Sequence, residues 1–279
     1  MNKVAIIDLL NQDIEAEHGA IIQYLTHAYA MGEGELSCEI EALAREEMRH
    51  LDWLAETVVT LGGTPSLRRG KMIMEGQAPP AWMKNNVLLE EGAINQYHEH
   101  IEAIDDAKIK RLLKRILSDE ESHHGDFEHF VDKTAREKIS DIRGSKGGKI
   151  IDILNWGIAH EYTVILQYMF QSYMTDNEEA KKELEDQAIN EMQHLGWLAE
   201  QIIDISGSPQ IEHNEVEQTT NTAEMLRTDI AIEKKVAREY KRAVAETDNA
   251  GLKELLLRLR DHESYHANVF SDLLREEEK

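Results

Sequence analysis

The chain has 279 residues and a formal charge of −23, with 54 acidic against 31 basic side chains; this argues against a nucleic-acid partner, because phosphate binding needs basic clusters. Its one cysteine, Cys38, excludes an internal disulfide and any zinc-thiolate or iron–sulfur cluster built from this chain. No apolar run approaches the length of a membrane span, and the N-terminal segment turns polar too early for a secretory signal, so a cytoplasmic protein without a membrane partner is expected. The acidity itself reads either as a solvated helical surface or as attraction of cations toward internal sites.

Residues 4–31 repeat apolar side chains at helical spacing (Ile6, Ile7, Leu10, Ile14, Ile21, Leu25, Ala28) and stop at Gly32 and Gly34. A second helix is predicted over 35–61, ended by Gly62-Gly63-Thr64-Pro65. The Gly-, Pro- and base-rich stretch that follows, up to Pro79-Pro80, reads as a long crossover. A third helix is predicted from Ala81 and a fourth to Lys138, with a break at Asp105-Asp106. The second half repeats this order, with helices over 149–174, 178–206, 222–247 and 251–277 and a crossover at 207–221. Residues 1–140 and 149–279 are therefore expected to be two tandem all-α units joined by a Gly-rich linker at 141–148. Each unit is a helix pair, a crossover and a helix pair, a four-helix bundle in up-down-down-up order. The two bundles are expected to pack as a pseudo-twofold pair.

The duplication is explicit in the second helices. Glu-Met-Arg-His-Leu-Asp-Trp-Leu-Ala-Glu at 47–56 returns as Glu-Met-Gln-His-Leu-Gly-Trp-Leu-Ala-Glu at 191–200. Residues three apart share a helix face, so Glu47 with His50, and Glu191 with His194, can grip one metal ion. The fourth helices carry the same motif as Glu120 with His123 and Glu263 with His266. Glu121 with His124 has the same spacing, but a gapless offset of 143 pairs Glu120 with Glu263 and His123 with His266. At the offset of 144 that pairs Glu47 with Glu191, Glu47 is preferred over Glu46, whose counterpart is Asn190.

First and third helices each add one glutamate seven residues before a tyrosine: Glu17 and Tyr24, Glu90 and Tyr97, Glu161 and Tyr168, Glu233 and Tyr240. Two helical turns put each tyrosine on the glutamate's face, either to donate to a carboxylate or to pack in the core. Each unit thus offers four carboxylates and two imidazoles, a donor set for two hard cations such as iron or manganese. His18, His27, His98, His100, His124, His129, His160, His213 and His262 have no counterpart in the other half and are assigned surface or supporting roles. Trp53 and Trp197 are assigned to the core or the repeat interface, although an aromatic near metals could pass electrons.

On these residues, and on Glu17-x-x-Ala20-x-x-Gln23-Tyr24 with Glu161-x-x-Val164-x-x-Gln167-Tyr168, the chain resembles the ferritin-like superfamily and within it bacterioferritin, as two fused copies. The resemblance implies a ferroxidase centre from Glu17, Glu47, His50, Glu90, Glu120 and His123, and another from Glu161, Glu191, His194, Glu233, Glu263 and His266. It also implies metal bridging by Glu47 with Glu120 and by Glu191 with Glu263. The implied activity is oxidation of two Fe(II) per bundle by dioxygen or hydrogen peroxide, in iron handling or oxidative-stress protection. Manganese, or mixed manganese and iron, suits the same donors. Alternative readings are a non-catalytic metal-binding or iron-storage accessory protein, and a di-metal oxidase acting on another substrate. Met48 and Met192 follow the second-helix glutamates, where bacterioferritin carries the axial ligands of a haem b; here they either ligate such a haem or pack. With a linker after the first unit and thirteen residues after His266, the family's short fifth helix is not expected. A homo-oligomer is compatible with this sequence, whereas a closed shell of the 24-subunit type is not expected.

Overall fold

The structure, a computed structural model, describes residues 1–136 and 148–278. The expected linker at 141–148, apart from Gly148, falls outside the described residues, as does the last turn expected for the fourth helix. The described residues contain eight α-helices, one short 3₁₀ turn and no strand. They fall into two compact units, Met1–Arg143 and Gly144–Lys279.

The first unit holds α1 (Lys3–Met31), α2 (Glu35–Thr60), α3 (Pro79–Ala103) and α4 (Ala107–Arg136). α1 packs on α2 and α3, and α4 packs on α3 and α2. The second holds α5 (Lys149–Met174), α6 (Glu178–Asp204), α7 (Thr222–Ala243), extended by the 3₁₀ turn Val244–Glu246, and α8 (Ala250–Glu277), with the same packing scheme. Helix starts follow capping chemistry. Asn2, Asn177, Asn221 and Asn249 accept from backbone N–H groups of the first turns of α1, α6, α7 and α8. Asp106 does the same for α4 through Lys108 and Ile109. α3 begins two residues before the position predicted from Ala81, because Pro79 and Pro80 fill first-turn positions whose missing N–H groups have no helical partner anyway.

Each crossover runs along the first helix of its unit. In the first, Asn11 accepts from Ser66 N at 2.9 Å, Glu15 O from Gly70 N at 2.7 Å, and Gln23 Oε1 from Ile73 N at 2.6 Å. In the second, Asn155 accepts from Gln210 N at 2.8 Å, Thr163 Oγ1 from Asn214 N at 2.9 Å, and Gln167 Oε1 from Glu217 N at 3.3 Å. Three contacts spaced along one helix lay the strap lengthwise, so the third helix starts at the opposite end of the bundle from where the second stops. Gly70 is required there: a Cβ would lie 2.3 Å from Glu15 O.

Tyr24 and Phe127 pack at 4.8 Å between ring centroids in one core, and Tyr168 and Phe270 at 5.2 Å in the other. Leu36, Ile40 and Met83 are among the side chains that complete the first core, and Leu184 and Leu226 the second. These cores fix the helix rotations, and with them the direction in which the glutamates and histidines point.

Candidate metal centres

All twelve sequence-predicted ligands are buried, none more than 3% exposed. An unpaired buried carboxylate is strongly disfavoured, so four in one bundle demand a common explanation. In the first unit they form two groups that share members. Glu17, Glu47, His50 and Glu120 bring one donor atom each within 4.8 Å of one another, and so do Glu47, Glu90, Glu120 and His123. The second unit repeats this with Glu161, Glu191, His194 and Glu263, and with Glu191, Glu233, Glu263 and His266. Glu121, the rejected alternative, is exposed, and His124 pairs with Glu91 at 3.6 Å and Glu128 at 3.8 Å, outside these groups.

The shared carboxylates each face both imidazoles. Glu47 Oε2 lies 2.8 Å from His50 Nδ1, and Glu47 Oε1 lies 2.9 Å from His123 Nδ1. Glu120 Oε1 is 2.9 Å from His50 Nδ1, and Glu120 Oε2 is 4.0 Å from His123 Nδ1. In the second unit Glu191 approaches His194 at 2.5 Å and His266 at 2.7 Å, and Glu263 lies 3.3 Å and 3.6 Å from the same rings. The unshared glutamates are steadied by tyrosines in a crossed arrangement. Tyr24 donates to Glu90 and Tyr97 to Glu17; Tyr168 donates to Glu233 and Tyr240 to Glu161. The seven-residue spacing identifies the tyrosines, but each one serves the glutamate of the other helix. Only the packing of α1 on α3, and of α5 on α7, decides that.

Electrostatics shows how the groups coexist without metal. Burial, reinforced by the charge of Glu47, pushes Glu17 up to about 8. Burial and neighbouring carboxylates hold Glu90, Glu120 and Glu233 well above the usual carboxylate range. Burial opposes charge on the imidazoles, but the neighbouring carboxylates outweigh it and raise His50 far above its ordinary value, His123 and His266 to about 9, and His194 to about 12. Burial would raise Glu47 too, yet His123 and His50 pull it down to about 2. Protons thus do the neutralising. Several donors nevertheless stay orphaned: Glu120 Oε1, Glu161 Oε2, Glu233 Oε2, both oxygens of Glu191 and of Glu263, and Nδ1 of His194 and of His266 lack a hydrogen-bond partner. His194 Nδ1 lies 2.5 Å from Glu191, too poorly aligned to count as a hydrogen bond. Lone pairs that converge without bonding to one another fit a cation at their common focus, with hard oxygen and imidazole nitrogen donors suited to iron or manganese.

Sequence reasoning missed what stands behind the imidazoles. His50 Nε2 lies 3.3 Å from Asp119 Oδ2, and His123 Nε2 lies 3.1 Å from Glu46 Oε2. His194 Nε2 lies 2.8 Å from His262 Nδ1. Asp119 adjoins Glu120 in sequence, and the offset of 143 lands it on His262, so the repeat comparison held the signal. Trp53 and Trp197 are half-buried, not core: each sits beside a ligand histidine, at 5.8 and 5.4 Å, with Arg115 or Arg258 stacked over it. Met48 and Met192 are half-buried, about 100° around α2 and α6 from the glutamates they follow. A cavity of about 340 Å³ is lined by Glu17, Glu90, Glu120 and Tyr24, together with Glu15 and Lys71.

Each unit is a four-helix bundle wrapped around two carboxylate–imidazole groups that could hold metal ions. The ferritin-like domain family matches residues 7–137 and again 151–279, and the chain belongs to it. A bacterioferritin of Desulfovibrio desulfuricans is 30% identical over 127 residues, 43% of this chain and 71% of the relative. One from Streptomyces coelicolor is 30% identical over 128 residues, 44% of this chain and 76% of the relative. Among solved structures, the D. desulfuricans bacterioferritin, described with its diiron site in different catalytic states, aligns with TM-score 0.45 and 28% identity over 52% of this chain and 95% of its own. Among the described residues no helix is long and apolar enough to cross a membrane.

Proposed function

We propose that the protein is a di-iron ferroxidase with one dinuclear centre in each unit, oxidising Fe(II) with dioxygen or hydrogen peroxide. The observation that carries this reading is that Glu47 and Glu120, and likewise Glu191 and Glu263, belong to both donor groups of their unit at once. Glu17 and His50 would hold one Fe(II), Glu90 and His123 the other, and Glu47 with Glu120 would span both; Glu161, His194, Glu233, His266, Glu191 and Glu263 take the same parts in the second unit. Four carboxylates balance the charge of two divalent ions when the imidazoles are neutral, so loading exchanges protons for metal in a site that stays buried. The tyrosines occupy one oxygen of each unshared glutamate and leave the other free for an ion. Two Fe(II) supply the two electrons that take dioxygen to peroxide, or hydrogen peroxide to water, and the protons displaced on loading are the kind such a reduction consumes. The bacterioferritin relatives favour iron over manganese, which supports an iron-handling or protective role.

Stopped-flow mixing of metal-free protein with Fe(II) in air tests the reading. Oxidation much faster than in protein-free buffer, saturating at about two irons per unit, is expected; a rate equal to buffer overturns it and leaves a non-catalytic metal-binding role. The cavity at the first centre favours one further possibility, oxidation of a small organic substrate, which a product screen under the same conditions would detect.

Met48 and Met192 remain proposed axial ligands of a haem b, supported by soft thioether donors that their own cores do not fully enclose. Expression with ample haem should give a Soret band that is lost on Met48→Leu with Met192→Leu. Its absence, or its survival in the double variant, assigns both residues to packing.

A further inference from the structure

Both ligating imidazoles of the first unit turn Nδ1 to the carboxylate cluster and Nε2 to an acidic side chain. Asp119, on α4, receives His50, and Glu46, on α2, receives His123. At the corresponding positions the second unit carries His262 and Asn190. His262 Nδ1 faces His194 Nε2 at 2.8 Å, and the Asn190 amide instead donates to Gln187 at 3.1 Å. A carboxylate that accepts Nε2–H puts negative charge onto the ring, strengthens Nδ1 as a donor and locks the tautomer that presents Nδ1 to metal. An imidazole acceptor locks the same tautomer without adding charge. Arg49 holds Glu46 at 3.1 Å and offsets part of its charge, which leaves Asp119 as the dominant carboxylate behind the first centre.

We infer that the two centres are unequal: the first unit binds divalent metal ions more tightly than the second, and Asp119 against His262 is the main cause. The inference rests on reading both clusters as metal centres. Asp119 and His262 act here as positioning residues, through the histidines they touch. Replacing such a partner of a ligand histidine changes metal affinity by roughly 10–100-fold, so a gap of at least about tenfold is expected. Metal then fills the chain in order, the first unit before the second, and a half-loaded protein with one complete centre exists at intermediate metal supply.

The test is an anaerobic titration of the metal-free full-length protein with Co(II) against a competing chelator, followed by the visible d–d absorption. Two classes of about two ions each are expected, separated by at least about tenfold. Glu191→Ala should leave the tight class alone and Glu47→Ala the weak class alone. His262→Asp should tighten the weak class toward the strong one, and Asp119→Asn should loosen the strong class; each should shift the d–d band of its own centre only, which a merely structural effect would not do. One class of four equal ions overturns the inequality while leaving the metal centres standing; a gap that neither His262→Asp nor Asp119→Asn changes overturns Asp119 against His262 as its cause. No Co(II) bound by either cluster overturns the metal-centre reading itself, and the inequality with it.

Discussion

The first unit closes its strap with Gly70 against Glu15 and backs its histidines with carboxylates; the second hangs its strap from Thr163 through Asn214 and backs His194 with another histidine. The turn after the second helix differs in the same way. Gly62 takes a positive φ of 74° in one unit, and Ser206 takes 58° in the other, where a side chain is less easily accommodated. Even the polar layer of the core is rewritten: Gln23, His27 and Asn86 become Gln167, Gln171 and Asp229. What stays constant in each unit is the six donors and the two tyrosine–glutamate bonds. A donor set admits few substitutes once several helices aim it at one point, whereas a strap or a buried polar layer has several solutions of similar energy.

The largest effect that separates the units should come from single ligand removals. Glu47→Ala is expected to abolish metal binding in the first unit and leave about two ions in the second, and Glu191→Ala the reverse, read by metal analysis and native mass spectrometry. If either substitution empties both units, the centres are not independent and the comparison breaks.

A smaller effect should appear in the polar layers, with opposite signs of pH dependence. Burial raises Asp229 to about 7 from 3.8; its Oδ2 and the neighbouring Gln171 Oε1 are both without a partner. The folded unit retains a proton that the unfolded chain releases, so stability falls as pH rises from about 3.8 to about 7 and stays lowered above. Asp229→Asn, the residue type of Asn86, removes the buried ionisable group and keeps an oxygen to accept from Gln167 and Gln171. It should stabilise by a few kcal/mol at pH 7 (order of magnitude) and by almost nothing near pH 4.

His27 runs the other way. Burial lowers it to about 4 from 6.5, against the hydrogen bond to Asn86. The unfolded chain takes up the proton first, so stability is lost as pH falls from about 6.5 to about 4. His27→Gln, matching Gln171, should recover on the order of 1–2 kcal/mol at pH 5 and little at pH 8. Denaturant unfolding of both variants across this range checks the pair, and effects that do not vary with pH would rule out ionisation as the cause.

Helix number and order were legible because apolar spacing and the Gly and Pro stops are local properties of the chain, whereas the asparagine and aspartate caps emerged only with the structure. The donor set was legible because the duplication shows it twice: the offset of 143 separates Glu120 from Glu121, and only the former is buried. Of the two places expected for Trp53 and Trp197, the core is ruled out: both are half-buried, with an arginine of the fourth helix stacked over each ring, a contact that no spacing within their own helix reveals.

The sequence by itself determined two all-α units, their crossovers and which twelve side chains point inward, all consequences of helical periodicity repeated in one chain. Tertiary structure decided which carboxylates face both imidazoles, which tyrosine serves which glutamate, and what stands behind each histidine. Those are relations between helices far apart in sequence, set by the rotation each helix adopts when its apolar face is buried, and no spacing within a single helix encodes them.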